Sequence, residues 1–350
     1  MRLDARALGR IALAIAIGSV GGYVGHLLDL PLAWMIGAMV FVTIASLSGA
    51  PVSFSPRLRA FMIAVLGVML GSAFTPELLG RVGQWGLTLS ALFVYAAAVG
   101  AAAFLYFRTV LRYDRSTAFF SAMPGGLAEM TTFAQDTGGD DRIVALVHTV
   151  RVMLIVLTIP IWFRMLEGYD AARRTADDMG VLDVPLGEMA FLAAIGYAGA
   201  LAAKLLKIPG TYIIGPMLAS ALAHLVGWTT FRPPKELIVI AQIVTGTAIG
   251  CRFVGIAFPT IARTVVHAAG ATAIMVVGTI VAALCLDAFV DVPTAALVLA
   301  FAPGGLAEMS LVALALATDA AFVSTHHVLR IFFVVVVSPL GYRLAWGRKT

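Results

Sequence analysis

Two glutamates stand in identical seven-residue stretches of an otherwise apolar chain. The sequence PGGLAEM occupies residues 124–130 and occurs again, letter for letter, at residues 303–309. Each stretch places a carboxylate, Glu129 or Glu308, shortly after a proline and two glycines. In apolar surroundings such a carboxylate can bind a cation, exchange a proton or compensate the positive end of a helix dipole.

A histidine and an arginine follow each glutamate at matching distances. They are His148 and Arg151 in the first half of the chain, and His327 and Arg330 in the second. A spacing of three residues puts both side chains on one face of a helix. The histidines favour a proton-responsive role, because an unperturbed imidazole titrates near neutral pH.

Aspartates predict where these two helices begin. Asp140 and Asp319 are suitable N-cap residues and precede the histidines by equal distances. Arg151 then lies about 16 Å along its helix, which is mid-membrane depth in a spanning segment. A charge at that depth is by default a functional hypothesis.

The Pro-Gly-Gly triplets predict breaks in two membrane helices. Proline lacks a backbone donor and glycine weakens a helix, so the break must be packed in protein or line a wet cavity. The following residues suit the start of a second half-helix, with each glutamate about one and a half turns into it. Duplicated transporters bind their substrates at such equivalently placed breaks.

Structural roles for the same charges stay open at this point. A glutamate after a kink can face a loop, and kinks at proline are common. The arginines can counter an anionic solute, or they can pair with the glutamates and merely lock each broken helix to its neighbour.

The composition identifies an integral membrane protein. The chain has 350 residues, of which 61% are hydrophobic and 12% charged, with a mean hydropathy of +0.97. Its apolar blocks are long enough to cross a bilayer as helices of about 20 residues. The net charge of +5 arises from residues in short loops, so we expect no nucleic-acid partner. Cys251 and Cys285 are isolated, and no metal-ligand spacing is present, so we expect no metal and no cofactor.

The chain is a tandem duplication. Residues 17–49 align with residues 195–227, and residues 124–160 align without a gap with residues 303–339. The first repeat is predicted over 1–165, a polar linker over 166–185 and the second repeat over 186–350. Because the first apolar block has an internal copy, we expect a retained helix rather than a cleaved signal peptide.

Each repeat contains about six apolar segments. The sequence therefore predicts an all-α polytopic membrane protein with about 10–12 transmembrane segments. Arginines of the first repeat favour a cytoplasmic N-terminus, whereas the charges of the second repeat are ambiguous. We expect inverted repeats, and parallel repeats are the alternative.

The sequence resembles the AbrB family of bacterial membrane proteins, which is defined by a duplicated membrane unit. The resemblance is carried by the two PGGLAEM stretches, the two H-x-x-R helices and the paired stretches LPLAWMIG and IPGTYIIG. Members are labelled as regulators of gene expression or as ammonia monooxygenases. More remotely, FMIAVLGVMLGSAFTPELL is similar to the third helix of cation–proton antiporters, whose superfamily includes bile-acid symporters. That likeness implies inverted repeats whose broken helices cross near the centre.

These observations favour a secondary transporter of the bacterial inner membrane. Its partners would be a small polar or ionic solute, a coupling ion or proton, and the lipid bilayer; a homo-oligomer is left open. The alternatives are a membrane protein that affects gene expression indirectly and a membrane monooxygenase. The expected solute- and ion-binding residues are Pro124, Gly125, Gly126, Glu129, His148, Arg151, Pro303, Gly304, Gly305, Glu308, His327 and Arg330.

Overall fold

The computed structural model describes residues 5–167 and 179–347, and these residues form helices and connecting segments without a strand. The middle of the predicted polar linker, residues 168–178, lies outside the described residues. The first half of the chain contains α1 (Ala5–Leu27), α2 (Ala33–Leu47), α3 (Pro56–Gly71), α4 (Leu79–Val82), α5 (Gly86–Leu105), α6 (Arg115–Ala122), α7 (Leu127–Asp136) and α8 (Asp141–Glu167). The second half contains α9 (Leu186–Leu205), α10 (Thr211–Leu225), α11 (Lys235–Gly250), α12 (Phe258–Asp287), α13 (Thr294–Phe301), α14 (Leu306–Ala315) and α15 (Ala320–Trp346).

The lengths and compositions of the helices confirm an all-α polytopic membrane protein. Within the described ranges, seven helical segments are long and apolar enough to cross a membrane. They are Ala5–Leu27, Gly83–Val110, Asp141–Phe163, Leu186–Leu205, Lys235–Phe253, Phe258–Asp287 and Ala320–Trp346. The helices α2, α10 and α14 are apolar but shorter.

The chain folds into two compact units, and each unit takes segments from both halves of the sequence. The first unit consists of Met1–Leu78 with Leu157–Ile261, and the second of Leu79–Val156 with Ala262–Thr350. The units are therefore not the two predicted repeats, because a repeat reflects duplication whereas a unit reflects contacts. The repeat boundaries stay a prediction.

Glycines set the helix packing of the first unit. A Cβ atom at Gly37 of α2 would meet the backbone of Gly21 in α1, and a Cβ atom at Gly215 of α10 would meet the backbone of Gly199 in α9. These two pairs occupy equivalent positions in the sequence duplication. Because glycine has no side chain, the two backbones of each pair can approach closely. The resulting van der Waals contacts hold apolar helices together.

The duplicated segments also exchange contacts reciprocally within the first unit. Gly67 of α3 lies against α10. A Cβ atom at Gly67 would be 2.5 Å from the carbonyl oxygen of Ile213. Gly246 of α11 lies against the carbonyl oxygen of Met35 in α2. Ile213 and Met35 are equivalent in the duplication, and so are Gly67 and Gly246. The third helix of each half thus packs on the second helix of the other half, which is a pseudo-two-fold relation. Whether the repeats are inverted in the membrane stays a prediction.

The second unit contains both interrupted helices, at the positions that the sequence predicts. The helix α6 ends at Ala122 and α7 begins at Leu127, while α13 ends at Phe301 and α14 begins at Leu306. The Pro-Gly-Gly backbone between them is not helical, and its second glycine is extended, with Gly126 at φ −67° and ψ 137°.

The start of each second half-helix corrects one expectation from the sequence. Because helical geometry begins after the second glycine rather than at the proline, Glu129 and Glu308 lie in the first turn of α7 and α14. They do not lie one and a half turns into these helices.

We predict that Gly246→Ala lowers the free energy of unfolding by about 1–3 kcal/mol, because the added methyl group overlaps a carbonyl oxygen of α2. The measurement is equilibrium unfolding of the purified protein in mixed micelles. Gly9→Ala is the matched control in the same unit, since no atom lies within 4 Å of its Cβ position. It should leave stability unchanged or raise it by up to about 1 kcal/mol. Equal effects of the two substitutions would contradict the packing described for α2 and α11.

Candidate functional site

Two capped helices carry the histidine and arginine side chains. The carboxylate of Asp140 accepts hydrogen bonds from the backbone N–H groups of Arg142 and Ile143, both at 3.0 Å. The carboxylate of Asp319 accepts one from the N–H of Phe322 at 2.9 Å. Both predicted N-caps are therefore confirmed. These caps fix where α8 and α15 begin. They thereby also fix the positions of the histidine and the arginine, which lie two to three turns further along each helix.

The four side chains predicted on these helices are all buried. The exposed fractions are 1% for His148, 4% for Arg151, 0% for His327 and 3% for Arg330. Their polar atoms are therefore largely shielded from bulk water, and each one without a partner is costly.

The arginines bind backbone carbonyl groups where each first half-helix ends. The guanidinium Nη1 of Arg151 donates to the carbonyl oxygen of Met123 at 3.1 Å. Arg330 donates from Nη1 to the carbonyl oxygen of Ala302 and from Nη2 to that of Gly304, the latter at 2.8 Å. The last carbonyl groups of a helix have no donor within the helix, and a cation there also interacts favourably with the helix dipole. The arginines thus complete the ends of α6 and α13.

The histidines hold the arginines and bind the same half-helices. The Nε2 atom of His148 lies 2.9 Å from the carbonyl oxygen of Phe120, and that of His327 lies 2.9 Å from the carbonyl oxygen of Leu299. The Nδ1 atoms face the arginine Nη2 atoms, at 3.3 Å for the first pair and 3.0 Å for the second. A carbonyl only accepts and a guanidinium only donates, so both imidazoles carry their proton on Nε2 and are neutral.

The proton-responsive role that the sequence favours for His148 and His327 stays a prediction, and this tautomer defines their neutral state. A second proton on Nδ1 would remove the hydrogen bond from the arginine and place two positive charges side by side. The histidines therefore orient the arginines. Their nitrogen lone pairs are also engaged, so in this arrangement neither histidine is available to a metal ion. Among residues 5–167 and 179–347, no group of three or more His, Cys, Asp or Glu side chains could hold a metal.

The glutamates lie after each break, at the start of the second half-helix, whereas the arginines bind the end of the first half-helix. A Cβ atom at Gly126 would overlap the carboxylate of Glu129. A Cβ atom at Gly305 would overlap the carboxylate of Glu308 in the same way. Each glutamate is the third residue of its half-helix, where an acidic side chain compensates the positive helix terminus. A side chain at the second glycine of either triplet would displace this carboxylate, which can move because it is the end of a flexible side chain.

Of the two roles that the sequence leaves open for the arginines, a direct salt bridge with Glu129 or Glu308 is not formed in the described part of the chain. The hydrogen-bonding partners of Arg151 and Arg330 in the described part of the chain are carbonyl oxygens and imidazole nitrogens, with no carboxylate among them. The physical reason is the polarity of the break. The end of one half-helix attracts the cation, and the start of the next half-helix attracts the anion.

The two breaks and the two arginine-bearing helices lie together in the second unit. A Cβ atom at Gly125 would be 2.7 Å from Cγ1 of Val334 in α15, and a Cβ atom at Gly304 would be 2.9 Å from Cγ2 of Ile155 in α8. Val334 and Ile155 each lie one helical turn beyond the arginine of the same helix. Each break thus binds the arginine of its own half and packs against the helix of the other half. Pro124 and Pro303 are buried at the two breaks.

A further residue of the second unit, Tyr95 of α5, lies near the two arginines and was not expected from the sequence. It is 6% exposed, and its hydroxyl lies 2.7 Å from the hydroxyl of Thr279 in α12. The Tyr95 hydroxyl is also within electrostatic reach of Arg151 and Arg330. It lies in a featureless apolar block and has no tyrosine equivalent in the other half, so no sequence signal marks it.

Comparison with known proteins gives one family and two relatives along most of the chain. The family model described as "Transition state regulatory protein AbrB" matches residues 34–345. The chain is similar to "Uncharacterized protein YhjN" of Bacillus subtilis (strain 168), with 26% identity over 94% of this chain and 91% of the relative. It is also similar to "Putative regulator AbrB" of Escherichia coli (strain K12), with 26% identity over 95% of this chain and 94% of the relative.

We predict that Arg330→Lys lowers the free energy of unfolding by about 1–3 kcal/mol, because lysine cannot serve two carbonyl groups and an imidazole in one plane. The change is measured by equilibrium unfolding in mixed micelles. Arg343→Lys, at an exposed position of the same helix, should change stability by less than about 0.5 kcal/mol. If both variants are as stable as the unsubstituted protein, the arginine does not complete the end of α13.

Proposed function

Since the chain belongs to the AbrB family of membrane proteins, we propose that it is a secondary transporter that moves a small polar or ionic solute across the bacterial inner membrane. Transport would be coupled to an ion or a proton. The solute would bind where the two broken helices meet in the second unit.

One observation carries this proposal. Two interrupted helices in equivalent positions of a duplicated chain lie in one compact unit, and each break packs against the arginine-bearing helix of the other half. Non-helical backbone inside an apolar protein is tolerated where it is packed or lines a path for solute. Transporters with internal repeats use such paired breaks as their binding site.

The glutamates are the proposed coupling groups. They lie at the starts of α7 and α14, and no donor in the described part of the chain is hydrogen-bonded to either carboxylate. A carboxylate that is partly or fully enclosed and lacks such a donor is suited to take up a cation or a proton. Glu308 is 8% exposed and is the more enclosed of the two.

A regulatory role is the second candidate, since one relative is named as a regulator. The chain would then affect gene expression indirectly, through transport or signalling in the membrane. A change in transcript levels that persists when Glu129 and Glu308 are replaced would favour this role over transport.

We predict that Glu129→Gln and Glu308→Gln each abolish or uncouple transport, because glutamine keeps the size but can neither carry the charge nor exchange a proton. The measurement is a solute-uptake screen in proteoliposomes, run with and without a pH gradient. Both variants should unfold within about 1 kcal/mol of the unsubstituted protein, since no protein donor loses its partner.

Glu77→Gln is the matched control, because Glu77 is an exposed glutamate in the first turn of a short helix, Pro76–Leu78. It should transport normally. Unchanged transport with unchanged pH dependence in both site variants would show that the glutamates are structural.

A further inference from the structure

Arg151 and Arg330 bring two buried positive charges to the same unit. They are 4% and 3% exposed, and the partners they bind are uncharged carbonyl and imidazole groups. Arg330 is among the charges that act on Arg151 electrostatically, and it repels Arg151. No carboxylate of the described residues pairs with either guanidinium. A buried charge of this kind is expensive unless an opposite charge accompanies it.

Each of these guanidinium groups also has a donor without an acceptor. The Nε atoms of Arg151 and Arg330 are buried, and neither has a hydrogen-bond partner within the described part of the chain. A buried donor that is left unpaired costs about 1–3 kcal/mol, and more when the group is charged. The same atom is unpaired at equivalent positions of both halves, so both halves present a donor for a further acceptor.

The carboxylates of the site lie at helix starts and not beside the arginines. Glu129 and Glu308 lie against Gly126 and Gly305, at the positive ends of α7 and α14. Their charges compensate helix termini rather than guanidinium groups. Within residues 5–167 and 179–347, no carboxylate supplies the negative charge that the arginines require, so a bound molecule is the candidate source.

We propose that one small oxyanion, a carboxylate or a phosphate, binds between Arg151 and Arg330 and accepts hydrogen bonds from both Nε–H groups. The proposal rests on the transport function above and names its solute class. Arginine is suited to this task because its planar group binds carbonyl oxygens and an oxyanion with different N–H donors at the same time. The histidines support it, because a neutral imidazole leaves the positive charge of the site on the arginines.

The first test uses the purified full-length protein in detergent. Sodium phosphate, acetate and succinate are titrated in separate series, with sodium chloride at the same ionic strength as the control. We expect a saturable rise of the unfolding midpoint with at least one oxyanion and no such rise with chloride, because a ligand of the folded state stabilises it by mass action. A parallel series with a short-chain phosphatidate tests a lipid headgroup as the source of the phosphate. Stabilisation by the phosphatidate alone, or by none of these anions, would overturn the proposal.

The second test assigns the site by calorimetry. Arg151→Lys and Arg330→Lys should each weaken binding of the stabilising oxyanion by at least about tenfold, since a buried hydrogen-bonded charge pair is lost. Arg343→Lys, on the exposed face of α15, should bind as the unsubstituted protein does. Unchanged affinity in both site variants contradicts the proposal. If these variants do not fold, the titration of the unsubstituted protein still decides.

The results separate this proposal from the proposed function. If oxyanion binding depends on both arginines but the protein does not transport in proteoliposomes, the anion site is supported and the transport function is refuted. If the protein transports a cation or a neutral solute but binds no oxyanion, the transport function is supported and the anion site is refuted.

Discussion

A helix that is interrupted inside an apolar protein must find partners for the backbone groups that the break exposes, because lipid offers none. At both breaks of this protein an arginine supplies the missing donors and a glutamate faces the other terminus. The arginine binds carbonyl oxygens at the end of the first half-helix, and the glutamate lies at the start of the second. The positions of the N-caps and the histidine tautomers serve this requirement, because both orient the arginines.

Duplication brings two such breaks into one compact unit. Gly125 packs against α15 and Gly304 against α8, so each break needs a helix from the other half of the chain. The same reciprocity appears in the first unit, where Gly67 and Gly246 pack on helices of the opposite half. Neither break is therefore packed by its own half alone. The two buried arginines of the second unit act on each other as like charges, and neither pairs with a carboxylate of the described residues.

The sequence was sufficient for the features that depend on local chemistry. Proline and glycine predict a break wherever they fall in an apolar helix, aspartate predicts an N-cap, and a spacing of three residues puts His148 and Arg151 on one face. It was not sufficient for the choice of partner. Carbonyl groups and the Glu129 carboxylate both accept from an arginine, and spacing alone does not say which one lies in front of it. Tyr95 illustrates a further limit, because its place depends on contacts between distant segments.

We propose that both halves of the chain build one binding site, and this proposal fixes the number of oxyanions bound per chain. Equilibrium dialysis with a radiolabelled oxyanion measures this number at saturation. We expect one oxyanion per chain, with complete loss of that site in Arg151→Lys and equally in Arg330→Lys. Two independent oxyanions per chain, of which each substitution removes one, would show that the halves bind separately and share no site.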